Sequence, residues 1–549
     1  MKGKLLLAGV GATLIAGGVY LALTRGELIR EAFELVWDGG ERSLREPLRP
    51  TRGGTRVVVI ALDGVGRDML YGALDRGEVP RLSALMGAPA GERTYEHGFA
   101  EEDALSILPS TTMAAWASVF TGEAPARSGV PGNEWFDRST MRFFAPAPVS
   151  VHGYEHTLSM LSDGLVGNHL SVPTVFELAD VRSYVSLAPV YRGADLFTLP
   201  DPDVVAELFG AMANGAADDE PLAQDAYATL DESAMDEALE TLGRHGLPSL
   251  QVVYFPGVDL FTHGASDPLR QQSAYLTEVV DPQIGRLLDA YAEAGALDST
   301  WVVVLSDHGH TPVRSDDRNA LSAEAEDGVS RVLEEAGFRT RALVLEPDED
   351  EQDYQAALAY QGAFAYVYLA DRSTCTGTGR LCDWARPPRL DEDVLPVARA
   401  FHAAGTIGEV APQLAGALDL ILVPSVAPDG SAELLVFDGE GLVPLSEHLA
   451  VHPRPDLLRF EERVRGLVDG PHGDRAKATS SSSPAPASTG PSTSASTSRT
   501  GTGAGTEARI RRTAAFPSWS CTRAARGRRS GTSCGARSAN RPRTSASCR

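Results

Sequence analysis

Short runs of apolar, mostly β-branched residues alternate with helical patterns through the middle of the chain. Three of these runs, Val57–Leu62, Leu250–Phe255 and Trp301–Leu305, are typical of strands that are buried on both faces. Between the last two runs, Tyr275–Tyr291 has helical periodicity, in which Pro282 predicts a kink. Strands that alternate with helices predict an α/β fold built on a parallel sheet.

Acidic residues stand at or just past the ends of all three predicted strands. Asp63 directly follows the first strand, Asp259 lies a few residues past the second, and Asp307 closely follows the third. Parallel sheets collect their ligands at the carboxyl ends of the strands. We therefore expect these three carboxylates to meet in one site, although a single strand-end aspartate equally serves as a loop cap.

Two histidines accompany these acids. Asp259 and His263 are four residues apart, which on a helical turn places both side chains on one face. Asp307-His308 follows an apolar run, and burying an acid beside an imidazole is costly unless something pairs with them. Mixed carboxylate and imidazole ligands suit zinc. His310 is close by in the sequence, and we expect it to support a ligand from behind or to lie on the surface.

A hydroxyl-rich segment, Pro109–Thr112, leads into a helix that we predict over Ser110–Thr121. The simplest role for its Ser and Thr residues is to cap that helix. The same geometry suits chemistry, because a hydroxyl at a helix N-terminus faces free backbone N–H groups and the positive end of the helix dipole, which attract phosphate. A metal ion beside such a hydroxyl would make it a nucleophile. Different hydroxyls of the segment can fill both roles.

Charge narrows the range of partners. The 549-residue chain has a formal net charge of −25, although residues 476–549 hold thirteen Lys and Arg residues against one Glu. The rest of the chain is therefore even more acidic, which argues against nucleic acid as a bulk partner. A small phosphorylated substrate remains compatible with this charge, because bound cations reverse the local field. The sequence does not indicate an oligomeric state.

The N-terminus carries an uncharged run, Leu5–Leu23, that nearly matches the ~20 residues needed to span a bilayer. Lys2 and Lys4 precede the run and favour a cytoplasmic N-terminus. We therefore predict a membrane anchor over residues 1–25, and a cleaved signal segment is the alternative. Either alternative places the body of the protein outside the cytoplasm, in the periplasm, at the cell surface or, after cleavage, secreted.

The remaining segments complete the domain organisation. Residues 26–54 are predicted to be a linker, and residues 316–410 are polar and irregular enough to form an insertion or cap. Within this insertion, Cys375 and Cys382 flank a short loop, which in an oxidising compartment a disulfide could close; two free thiols are the alternative. Two further strands are predicted later in the chain, at Leu418–Val423 and Glu433–Phe437.

In order and spacing, these segments together resemble the type I phosphodiesterase/nucleotide pyrophosphatase family of the alkaline phosphatase superfamily. The resemblance covers residues 55–475. It implies an alkaline phosphatase-like catalytic domain, whose doubly wound, mostly parallel α/β sheet is flanked by helices and binds two divalent metal ions, expected to be zinc. Carried over by motif, one ion would be held by Asp63, Thr112, Asp307 and His308, and the other by Asp259 and His263.

The resemblance also implies a reaction. Counting back from Thr121-Gly122 places the family's nucleophile at Thr112, which would attack a phosphate diester or nucleotide pyrophosphate and form a phospho-threonine intermediate. Nucleotide-cleaving members of the family carry Asn three residues later, where this chain has Ala115, so Asn133 or the Thr112 amide would hold the phosphate. The segment around Asn133 also resembles phosphomonoesterase relatives. A phosphomonoesterase, or another phosphoryl or sulfuryl hydrolase, is therefore the alternative.

The family pattern breaks near the C-terminus. The second ion takes its last ligand from a late His-Gly in the family, and His472-Gly473 offers such a pair, but low-complexity sequence follows it. Residues 476–549 are predicted to be a disordered tail or the product of a shifted reading frame. In one alternative frame, Ser480–Ser483 become hydrophobic and 506–508 allow His-Gly-Gly. Without a last ligand, a metal-poor pseudoenzyme that acts as a binding protein is a further alternative.

Overall fold

A six-stranded sheet forms the centre of the protein. The computed structural model describes residues 40–51, 53–151, 155–218, 222–311, 328–348, 351–427 and 429–473. In spatial order the strands of the sheet are β1 (Glu41–Ser43), β8 (Leu196–Thr198), β7 (Ser183–Ser186), β9 (Leu250–Phe255), β2 (Arg56–Leu62) and β10 (Thr300–Ser306).

The sheet is parallel except at one edge. β10, β2, β9, β7 and β8 pair in parallel, and only β1 runs antiparallel to its neighbour β8. Val59 of β2 lies between Val303 of β10 and Val252 of β9, so apolar side chains face each other across the middle of the sheet. The three strands predicted from apolar runs are confirmed, and the fold is a mixed α/β fold with a mainly parallel sheet flanked by helices.

Helices pack around this sheet and continue into the C-terminal half. The first eight are α1 (Arg67–Arg76), α2 (Pro80–Met86), α3 (Thr112–Thr121), α4 (Pro125–Ser128), α5 (Glu155–Ser162), α6 (Leu165–His169), α7 (Val175–Ala179) and α8 (Pro202–Asp218). The others are α9 (Gln224–His245), α10 (Gly257–Gly264), α11 (Pro268–Tyr275), α12 (Asp281–Glu293), α13 (Val329–Glu335), α14 (Leu395–Ile407), α15 (Leu445–Val451) and α16 (Phe460–Arg465). Short 3₁₀ turns occur at Leu297–Ser299, Arg372–Thr374 and Pro412–Leu414, and a π-turn at Leu390–Val394.

The predicted irregularity over Tyr275–Tyr291 takes the form of a π-turn. α11 ends at Tyr275, a π-turn spans Leu276–Val280, and α12 begins at Asp281, with Pro282 in its first turn. A proline cannot donate the usual helical hydrogen bond. The wider turn accommodates this loss, because the Asp281 amide reaches back to the Leu276 carbonyl.

Small antiparallel sheets and two further apolar cores lie outside the central sheet. The remaining strands are β3 (Pro89–Gly91), β4 (Thr94–Tyr95), β5 (Trp135–Asp137), β6 (Arg142–Phe144), β11 (Ala356–Gln361), β12 (Phe364–Leu369), β13 (Leu422–Val426), β14 (Ala432–Phe437) and β15 (Leu442–Pro444). Phe136, Tyr368 and Trp384 are fully buried together in the second core. Cys375 and Cys382 lie in the same core and form a disulfide, so that prediction is confirmed.

Two strand expectations need correction. Glu41–Ser43 falls in the predicted linker but forms β1. The segment has no apolar pattern of its own, and it becomes a strand because its backbone pairs with β8 at the edge of the sheet. The strand predicted at Leu418–Val423 begins only at Leu422, because its partner β14 ends at Phe437 and leaves earlier residues without a partner strand. The strand predicted at Glu433–Phe437 is confirmed.

Both terminal predictions fall outside the described residues. The proposed anchor at residues 5–23 and the tail at residues 476–549 belong to segments of which the structure gives no description. Within the described ranges, no helix is long and apolar enough to cross a bilayer.

Candidate metal centre and nucleophile

The strand-end acids meet at the carboxyl edge of the central sheet. Asp63 follows β2, Asp307 follows β10, and Asp259 lies in the first turn of α10, directly after β9. These three strands are neighbours in the sheet, so their ends lie side by side. All three carboxylates are buried, at 3%, 0% and 6% exposure respectively.

One group of ligand atoms surrounds the His308 ring. Its Nε2 lies 3.3 Å from the Thr112 hydroxyl, 3.5 Å from Asp63 Oδ1 and 3.5 Å from Asp307 Oδ2. A tetrahedral zinc site with bonds near 2.0–2.2 Å separates its ligand atoms by about 3.3 Å. The four side chains predicted to hold the first ion are therefore brought together at spacings that suit one ion.

A second group of ligand atoms adjoins the first. Asp259 Oδ2 lies 3.3 Å from His263 Nε2, and Asp259 Oδ1 lies 2.9 Å from His310 Nε2. Asp259 also belongs to a group with Asp63 and His308 in which all ligand atoms lie within 4.8 Å of one another. Its carboxylate therefore stands between the two groups. Thus His310, expected behind a ligand or on the surface, lies in the second group itself.

In Asp63 and in Asp307, one carboxylate oxygen accepts hydrogen bonds from the protein and the other oxygen faces the site. The Tyr254 hydroxyl donates to Asp63 Oδ2, while the amides of Gly64 and His308 donate to Asp307 Oδ1 at 3.0 and 2.9 Å. The opposite oxygens, Asp63 Oδ1 and Asp307 Oδ2, are buried without a hydrogen bond, and so is Asp259 Oδ1. Orphaned buried oxygens are rare and costly unless a cation binds them. The residues present therefore fit divalent metal ions.

The electrostatics of the acids agree with this interpretation. Burial, followed by repulsion from Asp307 and Asp259, raises the pKa of Asp63 well above its ordinary value. Burial likewise raises the pKa of Asp307, although His308 opposes it. Burial also disfavours the ionised form of Asp259, but the imidazoles around it, led by His263, outweigh that effect and lower its pKa. Clustered acids of this kind are stabilised as carboxylates when cations sit among them.

Gly64 makes the close approach of the two groups possible. Its φ of +66° is left-handed, and a Cβ atom at this position would lie 2.2 Å from Asp259 Oδ1. The same Cβ would lie 3.1 Å from His310 Cε1. A side chain at residue 64 would therefore displace the second group of ligands, which explains a glycine between Asp63 and the next strand-to-helix turn.

Thr112 is the first residue of α3, as the hydroxyl-rich segment predicts within two residues. The positive end of the helix dipole thus lies at this hydroxyl. Asn133 approaches the same turn, since its Oδ1 accepts from the Met113 amide at 3.0 Å. Gln361 holds the Asn133 backbone by accepting from its amide at 2.7 Å. The amide nitrogen of the Asn133 side chain is consequently carried next to Thr112.

Several residues that support the site were not predicted from the sequence. Arg463 of α16 donates to the carbonyl of Ser106 at 2.6 Å, and at 3.3 Å to the carbonyl of Ile107 and the hydroxyl of Ser110. Ser106 in turn donates to the carbonyl of Asp307 at 2.8 Å. No sequence pattern marks Arg463 or Ser106 as a residue that supports the site. For His310, however, the spacing His308-Gly309-His310 at a strand end was an available signal.

His472, the late histidine considered as a last ligand, lies elsewhere. Its amide donates to the carbonyl of Ala126 in α4, beyond the C-terminal end of α3, whereas Thr112 stands at the N-terminal end. A ten-residue helix is about 15 Å long. Among the histidines that the structure describes, His472 belongs to neither group of potential metal ligands.

Sequence comparison identifies the family. The sequence model described as type I phosphodiesterase / nucleotide pyrophosphatase matches residues 57–376, which is more than half of the chain. The chain belongs to this family. The matched segment of the type I phosphodiesterase domain contains the two ligand groups, Thr112 and Asn133, and it ends before His472. No curated protein matches the sequence significantly.

The solved structures that match this family member have low sequence identity to it. Murine ectonucleotide pyrophosphatase/phosphodiesterase 5 is 17% identical with a TM-score of 0.33, and the match covers 47% of this chain and 58% of that one. Phosphonoacetate hydrolase from Sinorhizobium meliloti 1021 is 19% identical, with a TM-score of 0.32 and coverage of 51% and 63%. Human ectonucleotide pyrophosphatase/phosphodiesterase 5 is 14% identical, with a TM-score of 0.35 and coverage of 57% and 66%. The chain thus spans less than two thirds of each.

Proposed function

We propose that the protein is a metal-dependent hydrolase that cleaves phosphate diesters or nucleotide pyrophosphates through a phospho-threonine intermediate on Thr112. The observation that carries this proposal is the position of the Thr112 hydroxyl, 3.3 Å from His308 Nε2 and at the N-terminus of α3. Cations bound by the orphaned carboxylate oxygens would favour ionisation of this hydroxyl, and the helix N-terminus attracts a phosphate.

Two divalent ions, which we propose to be zinc, are the expected cofactors. Asp63, Thr112, Asp307 and His308 would hold the first ion, and the group around Asp259 would hold the second. When bound, such ions lower the pKa of a nucleophilic hydroxyl and neutralise charge on the entering and leaving oxygens. Carboxylate and imidazole ligands together favour zinc over magnesium or calcium, which prefer oxygen ligands alone.

The chain's own residues then position the reacting groups. The Thr112 hydroxyl gives its proton to solvent and forms a bond to phosphorus as the bond to the leaving alcohol or nucleotide breaks, and the leaving oxygen takes a proton from solvent. Water then attacks the phosphorus of phospho-threonine, the bond to the Thr112 oxygen breaks, the phosphate product keeps the water oxygen, and the Thr112 oxygen takes up a proton. The amide nitrogen of Asn133 would donate to a phosphate oxygen, because its Oδ1 already accepts from the Met113 amide.

The choice between diester and monoester substrates rests on two positions. Ala115 is buried in α3 where nucleotide-cleaving relatives carry Asn, and Asn133 approaches the helix from a segment that resembles monoesterase relatives. A phosphomonoesterase, or a sulfuryl hydrolase of the same superfamily, is therefore the second candidate.

Paired chromogenic substrates test the proposal. We expect the zinc-loaded protein to hydrolyse bis(p-nitrophenyl) phosphate faster than p-nitrophenyl phosphate, and EDTA to abolish both activities until zinc is restored. A preference of about tenfold or more for the monoester would favour the second candidate. Absence of turnover in protein that holds two ions would instead indicate a binding protein and would contradict the proposal.

Domain limits and location complete the proposal. We propose a catalytic domain over residues 55–475, doubly wound as in alkaline phosphatase, with residues 316–410 as an insertion. The Cys375–Cys382 disulfide supports an extracytoplasmic location, since such bonds persist in oxidising compartments. Residues 5–23 are apolar enough to anchor the protein there.

A further inference from the structure

We propose that His310 is the third ligand of the second metal ion, in place of the late histidine that the family pattern supplies. This inference rests on the proposed function only in that it presupposes two bound ions. It assigns the proposed ligands of the metal centre to residues up to 310.

The first support is the contact between His310 and Asp259. His310 Nε2 and Asp259 Oδ1 lie 2.9 Å apart, and both atoms are buried, yet neither forms a hydrogen bond. A nitrogen and an oxygen at this distance normally share a proton when their geometry allows it. Two buried ligand atoms that face each other without a hydrogen bond can both bind one cation that lies beside them.

The second support is the completeness of the group. Asp259, His263 and His310 each offer one atom, and these atoms lie within 4.8 Å of one another. One carboxylate and two imidazoles form a common three-residue ligand set for zinc, which leaves a fourth position for water or substrate. The His263 side chain is 69% exposed, so that this fourth position can open toward solvent.

The third support is the arrangement of residues behind the His310 ring. The Gln272 side chain lies against the ring, with its amide nitrogen 3.2 Å from His310 Nδ1. The same nitrogen donates to the Gly64 carbonyl at 3.1 Å, so the Gln272 side chain is itself fixed. A group held behind a ligating imidazole sets the orientation of the ring, and here His310 Nε2 is turned toward Asp259.

The position of His472 argues against it as the third ligand. Its backbone amide donates to the carbonyl of Ala126, which lies beyond the end of α3 opposite Thr112. The described residues after 376 contain histidines at 402, 448, 452 and 472, and none of them joins a group of potential ligands. Among the described histidines, His310 is therefore the candidate for the ligand that the family pattern takes from a late His-Gly.

Metal content separates the two histidines. After removal of metal with EDTA and dialysis against zinc, we expect the wild-type protein and His472→Ala to retain two ions per chain. His310→Ala should retain one ion and bind the second at least about 100-fold more weakly by titration calorimetry. Two tightly held ions in His310→Ala, or loss of one in His472→Ala, would overturn the inference.

A spectroscopic measurement tests the same inference even if the alanine variant misfolds. In cobalt-substituted His310→Cys, direct ligation should produce a thiolate-to-cobalt charge-transfer band that is absent from the wild-type protein and from His472→Cys. A band in His472→Cys alone would overturn the inference. Gln272→Leu should weaken the second ion by about 10–100-fold. A wild-type protein with two ions and no turnover would contradict the proposed function and leave this assignment intact.

Discussion

The hydroxyl of Tyr254, at the end of β9, donates a hydrogen bond to Asp63 Oδ2 at the end of the neighbouring strand β2. This contact fixes which oxygen of the carboxylate turns toward His308, since Oδ1 is left without a protein donor. Burial raises the pKa of the Tyr254 phenol far above its ordinary value, so that it stays a donor at any physiological pH.

The first prediction concerns this tyrosine. Tyr254→Phe should weaken binding of the first ion by about 10–100-fold, because Asp63 would lose the partner that orients it. The ring still packs on Trp116, so the fold should remain. Zinc titration checks the affinity, and Tyr291→Phe, which removes a hydroxyl from Gln251 elsewhere in the core, is the matched control. Equal affinities in both variants would contradict the orienting role.

The second prediction concerns the nucleophile. Thr112→Ala should lower turnover by a factor on the order of 10³ or more, since no other hydroxyl occupies its position at His308. The variant should still bind metal through the remaining carboxylates and imidazoles. Ser110→Ala, two residues earlier, should keep most of the activity. Comparable losses in the two variants, or retained activity in Thr112→Ala, would place the nucleophile elsewhere.

The third prediction separates backbone strain from loss of the metal centre. Gly64→Ala and Gly77→Ala both place a side chain at left-handed φ, +66° and +70°, so each should lose about 1 kcal/mol of stability. Only at Gly64 would the new methyl group strike Asp259 Oδ1; nothing lies within 4 Å at Gly77. Gly64→Ala alone should therefore lose the second ion, as measured by metal content. Two ions in this variant would show that the site can shift.

The fourth prediction concerns a buried acid beneath α10. Burial raises the pKa of Asp231 to about 7, although the Tyr275 hydroxyl and the Gly257 amide both donate to it. Because this native value exceeds the unfolded value near 4, stability from the bound proton is full below about pH 4 and is lost as pH rises toward 7. The advantage of Asp231→Asn over wild type should therefore grow by about 2–3 kcal/mol from pH 5 to pH 8.

Urea unfolding at a series of pH values measures this difference. The control is Asp68→Asn, the same substitution at a side chain that is 89% exposed. A constant difference between Asp231→Asn and wild type would mean that the buried acid is ionised throughout. Because Asp231 accepts from the first residue of α10, its neutral form also holds the helix that carries Asp259 and His263.

The predicted strands and acids followed from local sequence, whereas the supporting contacts did not. Val57–Leu62 and Leu250–Phe255 are continuous apolar runs, and such runs have few stable alternatives to a buried strand. Once the strands are parallel neighbours, the positions of Asp63 and Asp307 follow directly. The sequence therefore contained the edge at which the ligands gather.

The spacing His308-Gly309-His310 is a local signal, but the role that we propose for His310 also depends on information that is not local. Its position follows from the missing side chain at Gly64 and from Gln272 on α11, neither of which any spacing relates to a histidine at a strand end. Similarly, Glu41–Ser43 becomes a strand only because β8 offers a free edge. Tertiary contacts decide such cases, and periodicity alone cannot show them.

The contact of Arg463 with the segment before Thr112 sets a lower limit on the length of an active fragment. The family match ends at residue 376, yet the guanidinium that grips the carbonyls of Ser106 and Ile107 comes from α16. A protease cut or stop codon upstream of α16 would spare every proposed metal ligand but release the backbone before Thr112, the proposed nucleophile. We expect such a shortened protein to bind metal ions but to turn over substrate poorly.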